Sequence, residues 1–454
     1  MSLPRYPEYK DSGVEWLGEV PGHWEVKRLK QACHVFPSNV DKKSHDGETP
    51  VNLCNYTDVY YNETITADME FMAATATDDQ IAKFTLRAGD TIITKDSETA
   101  DDIAIGAYVP ADLPGVICGY HLSMVRPMTD TVGAFAKRLF DSAYVRSCVA
   151  VRANGLTRVG LGQYEIDNLE LPFPSPDEQQ TIAAFLDRET GKIDALIAEQ
   201  RRLVELLAEK RQAVISHAVT KGLNPKAKMK DSGIAWLGEV PEHWEVLPLK
   251  RRCELLKDGT HLPPPRVSEG IPLLSVRNIQ NGRFDLRDDD SLISQDDYQD
   301  LCKAFIPQPN DVLLAIVGAT LGKTALVPIG IGLFHIQRSL AIFRPTTEMQ
   351  AQYLHFLFQT GGFQQLLWEY VGYSAQPGIY LGTLAEFRIT LPPLVEQFAI
   401  VDFIGRETAK LDTLTTEANR AIALLQERRS ALISAAVTGK IDVRKALTQV
   451  GVTA

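Results

Sequence analysis

The chain has 454 residues, of which 44% are hydrophobic and 23% are charged, and its formal net charge is −11. A chain of this length exceeds a single hydrophobic core, so we expect two to four domains and no dominant disorder. The acidic total argues against a lone protein that coats nucleic acid, because neutralising phosphates requires local lysine and arginine.

Cysteine spacing argues against a zinc-binding protein, and hydropathy argues against a membrane or secreted protein. The cysteines stand singly, without a Cys-x-x-Cys pair, so we expect reduced thiols and no zinc knuckle. They are Cys33, Cys54, Cys118, Cys148, Cys253 and Cys302. No stretch reaches the ~18 uncharged apolar residues of a membrane span, and the first residues lack the apolar core of a secretory signal. We therefore expect a cytoplasmic protein without membrane contact.

The first element along the chain is a block that occurs twice. Residues 10–30, KDSGVEWLGEVPGHWEVKRLK, recur at residues 230–250 as KDSGIAWLGEVPEHWEVLPLK, with 16 of 21 positions identical at an offset of 220. A second set of matches, which includes Glu178-Gln179 with Glu396-Gln397, has an offset of 218. Chance does not produce two such agreements, so the chain is a duplicated frame.

Each block precedes a variable segment, residues 31–170 and 251–390, with the same coarse pattern but a different sequence. Two β-rich runs joined by a polar turn lead into an apolar strand that ends in Arg-Pro, SMVRP in the first segment and AIFRP in the second. An amphipathic helix, a glycine-containing polar loop and a closing strand follow. Both segments are therefore predicted to be α/β modules.

A long helix is predicted after each variable segment. Its apolar residues step by alternating threes and fours, which is a heptad seam. The seam consists of Ile182, Leu186, Ile193, Leu196, Leu203, Leu207 and Val214 in the first helix, and of Ile400, Ile404, Leu411, Leu414, Ala421, Leu425 and Leu432 in the second. Ser175 and Glu178 are spaced for a capping box at the start of the first helix.

These helices are predicted to be spacers. About 40 residues at a rise of 1.5 Å give a rod of roughly 60 Å. Between residues 178 and 221 there are seven acidic and seven basic side chains, which suits a solvated surface or a partner face better than a phosphate track. This pattern is compatible with two roles for the helices, a purely structural coiled coil and a surface that docks a partner.

The repeat divides the chain into four predicted segments. The first module with its block covers residues 1–174, and the first long helix covers 175–221. The second module with its block covers 222–392, and the second long helix with its tail covers 393–454. We expect the two helices to pack side by side.

Polar stretches without carboxylates are the candidate DNA-binding surfaces. Residues 142–164 lack acidic side chains and carry the residue types that reach phosphates and base edges. The candidates in the first module are Lys95, Arg146, Arg152, Asn154, Thr157 and Arg158. Those in the second module are Arg277, Asn278, Thr320, Lys323, Arg338, Ser374 and Gln376. For any single arginine the alternative is a side chain that only solvates the surface.

Catalytic motifs are not found. The segment VGATLGKT at residues 317–324 has three residues between Gly318 and Gly322, where a phosphate-binding loop requires four, so a β-turn is predicted there. Pro176-Asp177 opens a helix without the acidic-x-Lys continuation of a nuclease site, and Asn224-Pro225 does not continue as an adenine-methylase loop. The histidines include no pair at zinc-ligand spacing.

The combined pattern resembles the specificity subunits of type I restriction-modification systems over essentially the whole chain. The resemblance is carried by the WLGEVPxHWEV blocks, by the segments 171–179 and 391–397 that both end in Glu-Gln, and by the long helices that end near Ala-Val-Thr. It implies an α+β fold in which two α/β target recognition domains are joined by two long antiparallel coiled-coil helices as a pseudo-twofold internal repeat.

The resemblance also implies partners and a function. The partners would be double-stranded DNA, two methyltransferase subunits that use S-adenosylmethionine, and restriction/translocase subunits that use ATP and Mg²⁺. The chain itself would bind none of these cofactors directly and would not be an enzyme. It would read the two halves of a bipartite asymmetric DNA site, because its two modules differ in sequence.

Two other functions stay open at this point. A stand-alone restriction or modification enzyme would need a motif that the sequence lacks. A coiled-coil adaptor that binds only proteins is compatible with the composition. Failure of a reconstituted methyltransferase complex to select any DNA sequence would favour the adaptor.

Overall fold

A computed structural model of the protein describes residues 3–280, 282–372 and 377–445. The chain forms two compact units, the first from residues 1–201 with 420–454 and the second from residues 202–419. Within the described ranges, no helix is both long and apolar enough to cross a membrane.

The first unit is built from short strands and helices. Its strands are β1 Tyr9–Asp11, β2 Glu19–Pro21, β3 Glu25–Arg28, β4 Cys33–Pro37, β5 Thr49–Cys54, β6 Met72–Ala76, β7 Thr85–Leu86, β8 Thr91–Thr94, β9 Asp96–Ser97, β10 Gly106–Tyr108, β11 Leu113–Cys118, β12 Leu122–Pro127, β13 Val159–Gly160 and β14 Glu170–Phe173. Its helices are α1 Tyr56–Tyr60, α2 Asp78–Phe84, α3 Gly133–Asp141, α4 Ala143–Ala150 and α5 Gln163–Asp167. The long helix α6, Pro176–Lys221, follows.

Two four-stranded sheets form the core of the first unit. One has the order β10-β8-β12-β4 and is antiparallel, and the other has the order β6-β5-β11-β7 with β11 parallel to β5. Successive side chains of a strand point to opposite faces. Ile93 and Val125 accordingly pack with the helices, whereas Ile92 and Met124 pack with the second sheet. Burial on both faces explains why these strands are continuously apolar and do not alternate.

The second unit repeats this plan, but its second sheet has three strands where the first unit has four. Its strands are β15 Met229–Asp231, β16 Glu239–Pro241, β17 Glu245–Pro248, β18 Cys253–Asp258, β19 Ile271–Leu274, β20 Ile279–Gln280, β21 Arg283–Phe284, β22 Leu292–Ile293, β23 Val312–Ala315, β24 Thr324–Leu326, β25 His335–Ile336, β26 Leu340–Pro345 and β27 Arg388–Leu391. The three-stranded sheet has the order β22-β19-β25. Its helices are α7 Gln295–Cys302, α8 Ala351–Gln359, α9 Gly361–Glu369 and α10 Leu381–Ala385, and the long helix α11, Leu394–Val437, follows.

The internal repeat is confirmed at the level of topology. The sheet β24-β23-β26-β18 has the strand order of β10-β8-β12-β4, and the pair β17·β27 corresponds to β3·β14. The predicted hairpins, the strands ending in Arg-Pro and the helices after them are all present. Residues 317–324 form the turn between β23 and β24, as predicted, and no helix follows them directly.

A buried ion pair recurs in the main sheet of each unit. Arg126 makes a bidentate contact with the fully buried Asp90, with Nε to Oδ1 at 2.8 Å and Nη2 to Oδ2 at 2.7 Å. Arg344 contacts Asp311 in the same way, with both distances 2.8 Å. Residues 312–347 contain no carboxylate, but Asp311, directly before β23, lies beside Arg344 in the fold.

The two long helices contribute antiparallel segments to each unit. In the first unit Asp194 Oδ1 lies 2.9 Å from Arg429 Nε, and Glu178, at the start of α6, faces Arg444 beyond the end of α11. In the second unit Arg211 Nη1 lies 2.5 Å from Asp412 Oδ1. Side-by-side packing is thereby confirmed, and each helix begins in one unit and ends in the other.

The predicted heptad seam is buried at seven of its fourteen positions. These are Ile182, Leu186, Ile193 and Leu207 in α6, and Ile400, Ile404 and Leu411 in α11. Leu196, Leu203 and Leu414 are instead 46%, 40% and 46% exposed. Ile197, Ile215 and Ile433, each one residue after a predicted position, are buried as well.

The Glu-Gln pairs attach each module to the start of a long helix. The buried Gln179 accepts a hydrogen bond from the Val132 backbone and donates to the carbonyls of Asp130 and Pro174. Gln397 makes the corresponding three bonds in the second unit. The Glu178 carboxylate accepts from the Tyr6 hydroxyl at 2.8 Å. Glu178 therefore contacts the N-terminal segment of the first unit, and the capping box that its spacing from Ser175 indicates stays a prediction.

The repeated WLGEVPxHW blocks join the start of one long helix to the end of the other. His23 Nε2 lies 2.8 Å from Glu178, and His243 Nε2 lies 2.6 Å from Glu396. In the first unit, Gly439 follows the end of α11 at a φ of +71°, and a Cβ there would lie 2.3 Å from Pro21 Cδ. The residues that the two blocks share therefore pack at the ends of the long helices.

The second unit is expected to lose stability below neutral pH because of His355. Burial lowers the pKa of this imidazole to about 4. It is held neutral between Gln359 Nε2 at 2.6 Å and Thr324 Oγ1 at 3.3 Å. Because the unfolded chain takes up a proton near pH 6.5 and the folded chain does not, stability falls between pH 6.5 and 4 by about 3 kcal/mol. Urea unfolding of wild type and His355→Gln at pH 7.5 and 5 measures this, and an equal decline in both variants would contradict it.

Candidate nucleic-acid interface

A small hairpin gathers candidate residues that are far apart in the first module's sequence. Strand β13 pairs with β9, and Leu161 donates its backbone N–H to the carbonyl of Lys95 at 2.9 Å. Asn154 and Gly160 exchange two backbone hydrogen bonds of 3.1 and 2.9 Å, which closes the loop between them. Lys95, Asn154, Thr157 and Arg158 therefore share one edge of the unit. We call the segment 154–160 the tip hairpin.

Asp96 organises two donors at this edge. Its Oδ1 lies 2.5 Å from Arg158 Nη2, and its Oδ2 lies 2.7 Å from His121 Nδ1. The Arg158 side chain is nevertheless 50% exposed. A guanidinium held on one side by a carboxylate keeps a fixed direction and loses less freedom on binding a base edge or a phosphate.

The Lys95 side chain is partly buried and is not fully available at this surface. Its Nζ donates to the Ser38 carbonyl at 3.1 Å and lies 4.4 Å from the ring centroid of Tyr120. Burial lowers the pKa of Lys95 below its usual range. The half-exposed Tyr120 ring is thus the part of this pair that faces outwards.

The three arginines predicted as one cluster in the first module have separate environments. Arg152 donates from Nη1 to the Cys148 carbonyl at 2.9 Å and lies 3.7 Å from Glu165. Arg146 lines a cavity of about 560 Å³ beside α6 and α11, together with Asp194 and Arg429. The three arginines therefore have different partners, and their contact with DNA stays a prediction.

The second unit presents free cations at the matching edge. Its Val317 and Gly378 form the bridge that corresponds to β9·β13. Arg338 is exposed beside a cavity of about 460 Å³ that is also lined by His261 and Tyr380. Asp258, on the same cavity, is paired with His261 at 2.7 Å.

The turn between β23 and β24 carries two more candidates. Lys323 is exposed and Thr320 is half-buried, and the Lys323 backbone N–H donates to the Thr320 carbonyl at 3.1 Å. Within the described part of the chain, no carboxylate lies within ion-pair distance of Lys323 or Arg338. Ser374 and Gln376 lie outside the described residues.

Two candidates of the second module have structural roles. Asn278 is buried, and its amide donates to both carboxylate oxygens of Asp290 at 2.9 Å. Arg277 pairs with Asp289 at 2.9 Å and with Asp290 at 3.2 Å. The prediction of a DNA contact for Asn278 is corrected, because a buried amide whose donors are occupied cannot reach a base. Arg277 is already neutralised by the same loop.

Other residues at these edges were missed in the sequence. Tyr120 and His121 precede a core strand, and Tyr380 follows a polar loop. None of the three lies in a sequence pattern that indicates a binding site. Leu156 is fully exposed at the tip hairpin, with 107% relative exposure. Its signal in the sequence was an isolated apolar residue within Asn-Gly-Leu-Thr-Arg, a glycine-containing turn where an exposed polar residue is the usual choice.

Comparison with known proteins identifies the two modules. The model of the type I restriction modification DNA specificity domain matches twice, at residues 21–206 and 241–423. The chain belongs to this family. Each match takes in one module and part of the long helix that follows it, so the family domain coincides with the internal repeat. The family resemblance inferred from the motifs is confirmed.

Relatives in this family are similar over most of their length. A chain of Methanocaldococcus jannaschii assigned as the MjaX type I restriction enzyme specificity subunit is 24% identical over 444 residues, covering 94% of this chain and 96% of the relative. The EcoBI specificity subunit of Escherichia coli is 26% identical and covers 68% and 67%.

Solved structures of the same type share the fold. A chain from a study of complex assembly and conformational transition of the type I R-M system matches with a TM-score of 0.69 at 17% identity, covering 92% of this chain and 98% of that one. The HsdS subunit from Thermoanaerobacter tengcongensis matches with a TM-score of 0.51 at 18% identity, with the same coverage. The predicted α+β fold with duplicated domains is confirmed.

Proposed function

We propose that this chain is the DNA-reading subunit of a type I restriction-modification complex and that its two modules read unlike half-sites of one DNA sequence. The single observation that carries the proposal is the duplicated specificity domain, whose two copies share a fold but expose different side chains at the same edge. A common scaffold with unlike polar groups is what recognition of two different base sequences requires.

The two edges differ in chemistry. The first presents Arg158 with Asp96 and His121, where the second has Val317 and Gly378 at the corresponding bridge. The second relies on Arg338 and the β23–β24 turn. Since donor and acceptor patterns select base pairs, the two modules should not accept the same half-site, and the target should not be a palindrome.

The proposal assigns chemistry to partners. Methyltransferase subunits with S-adenosylmethionine would methylate the DNA, and restriction/translocase subunits with ATP and Mg²⁺ would cut it. The chain would bind DNA and these subunits in the cytoplasm without being catalytic itself. Its net charge of −11 supports shared binding, because partner subunits would supply much of the basic surface.

The test is to reconstitute the chain with its methyltransferase subunits and to map methylated adenines across a genome. We expect one bipartite, asymmetric sequence. Methylation without any sequence preference would contradict the proposal and favour a protein-binding adaptor. Methylation by the chain alone would show that it is an enzyme.

Arg158 and Arg152 give a sharper form of this test. Arg158→Ala is expected to weaken binding of the first half-site by about tenfold or more, as for loss of one base-reading arginine, and to leave the second half-site preference intact. Arg152→Ala is expected to change affinity less than about twofold, because its guanidinium is already bound to the Cys148 carbonyl. Fluorescence anisotropy with half-site duplexes at fixed salt measures both. Equal effects of the two variants would contradict a DNA contact by Arg158 that Arg152 does not make.

A further inference from the structure

We propose that Leu156 reads a thymine by packing against its C5-methyl group in the major groove. This inference rests on the proposed function and adds an apolar contact to a site so far described only by its polar groups. It concerns the half-site read by the first module.

Leu156 is fully exposed. Its relative exposure of 107% is the highest among the large apolar side chains of the described residues, and it lies at the tip of a hairpin. Burying this side chain against a bound partner would therefore stabilise the complex.

The tip hairpin is held by its own backbone hydrogen bonds. Both backbone bonds between Asn154 and Gly160 are formed, and the Asn154 amide also donates to the Arg152 carbonyl at 2.9 Å. Gly155 has a φ of +152°, and a Cβ there would lie 1.9 Å from the Arg158 carbonyl oxygen. Leu156 is therefore held outwards by the backbone and does not need to be ordered on binding.

The side chains around Leu156 are polar. Asn154, Thr157 and Arg158 are donors and acceptors of the kind that contact base edges and phosphates. Arg158 pairs with Asp96 on one side, but its side chain remains 50% exposed. An exposed guanidinium beside polar donors favours a nucleic acid as the partner. On the major-groove edges of DNA, the thymine methyl is the one apolar group, and apolar side chains contact it.

The experiment uses the chain assembled with its methyltransferase subunits and duplexes that carry its methylome-defined site. Each thymine of the first half-site is replaced in turn by deoxyuridine, which removes only the methyl group. At one position wild type is expected to lose roughly fourfold in affinity, the value of one buried methyl group. Leu156→Ala is expected to bind both duplexes equally. Ile329→Ala, which shortens an exposed apolar side chain of the second unit, should respond as wild type does.

The outcomes separate this inference from the proposed function. If the complex selects its sequence but every deoxyuridine duplex affects wild type and Leu156→Ala alike, the thymine contact is overturned. A first half-site without an A·T pair overturns it as well. A rise in 2-aminopurine fluorescence that depends on Leu156 indicates a wedge between bases and also overturns it. Loss of subunit assembly in Leu156→Ala without DNA overturns it in favour of a protein contact. Absence of any sequence selection refutes the proposed function itself.

Discussion

Arg126→Ala is expected to destabilise the first unit by about 3–5 kcal/mol, the cost of breaking a buried ion pair by removing one partner. Asp90 is fully buried, and two of its contacts come from the Arg126 guanidinium. After the substitution it would keep the hydrogen bond from the Arg87 backbone N–H at 2.9 Å but no counter-charge. The same guanidinium also donates to the carbonyl of the half-buried Thr85, so a second acceptor would lose its donor.

Urea unfolding followed by circular dichroism measures this loss, and the chain provides its own control. Arg344→Ala removes the matching partner of Asp311 and should destabilise the second unit by a similar amount. The pair of changes Asp90→Asn with Arg126→Met is expected to recover much of the lost stability, because it removes both charges and keeps an acceptor for Arg87. A loss below about 1 kcal/mol for Arg126→Ala would contradict a structural role for the pair.

Shortening both long helices together is expected to move the half-sites closer without changing the bases that are read. Each helix begins in one unit and ends in the other, so its length links the two readers. Residues 204–210 and 413–419 lie directly beyond the Arg211–Asp412 contact on each helix. Deleting both heptads removes about 10.5 Å of rise, or roughly three base pairs at 3.4 Å each.

Methylome sequencing of cells that carry the shortened subunit reads the spacer and the half-sites in one experiment. Deleting only residues 204–210 is the matched control. It takes the two helices out of register, and we expect loss of methylation in that case. A matched deletion that keeps the original spacer, or that alters the bases recognised, would show that the helices do not set the distance.

The order of strands and helices could be predicted from the sequence because the duplication makes each sequence pattern appear twice. The block at 10–30, the Arg-Pro strands and the proline-free helices each predicted an element that the structure contains. The helix seam was predicted correctly at positions such as Ile182 and Ile404 and was wrong at Leu196, where the next residue, Ile197, is buried.

The candidate DNA-binding edge could be predicted only in part from the sequence. Arg158 and Lys95 were identified from residue type, but their partners Asp96 and Tyr120 come from other strands. The same limit produced the error at Asn278, whose amide is bound to Asp290 twelve residues later. Residue type indicates what a side chain can bind, whereas its neighbours in space determine whether its donors are still free.

The sequence by itself determined the duplication and the order of elements, because periodicity and repeat spacing can be read directly along the chain. Only the tertiary structure decided which cations are neutralised, as Arg344 is by Asp311, and which residues share an edge, as Arg158 and His121 do through Asp96. The physical reason is that charge and hydrogen-bond pairing depend on distances of a few ångströms between strands that are far apart in sequence.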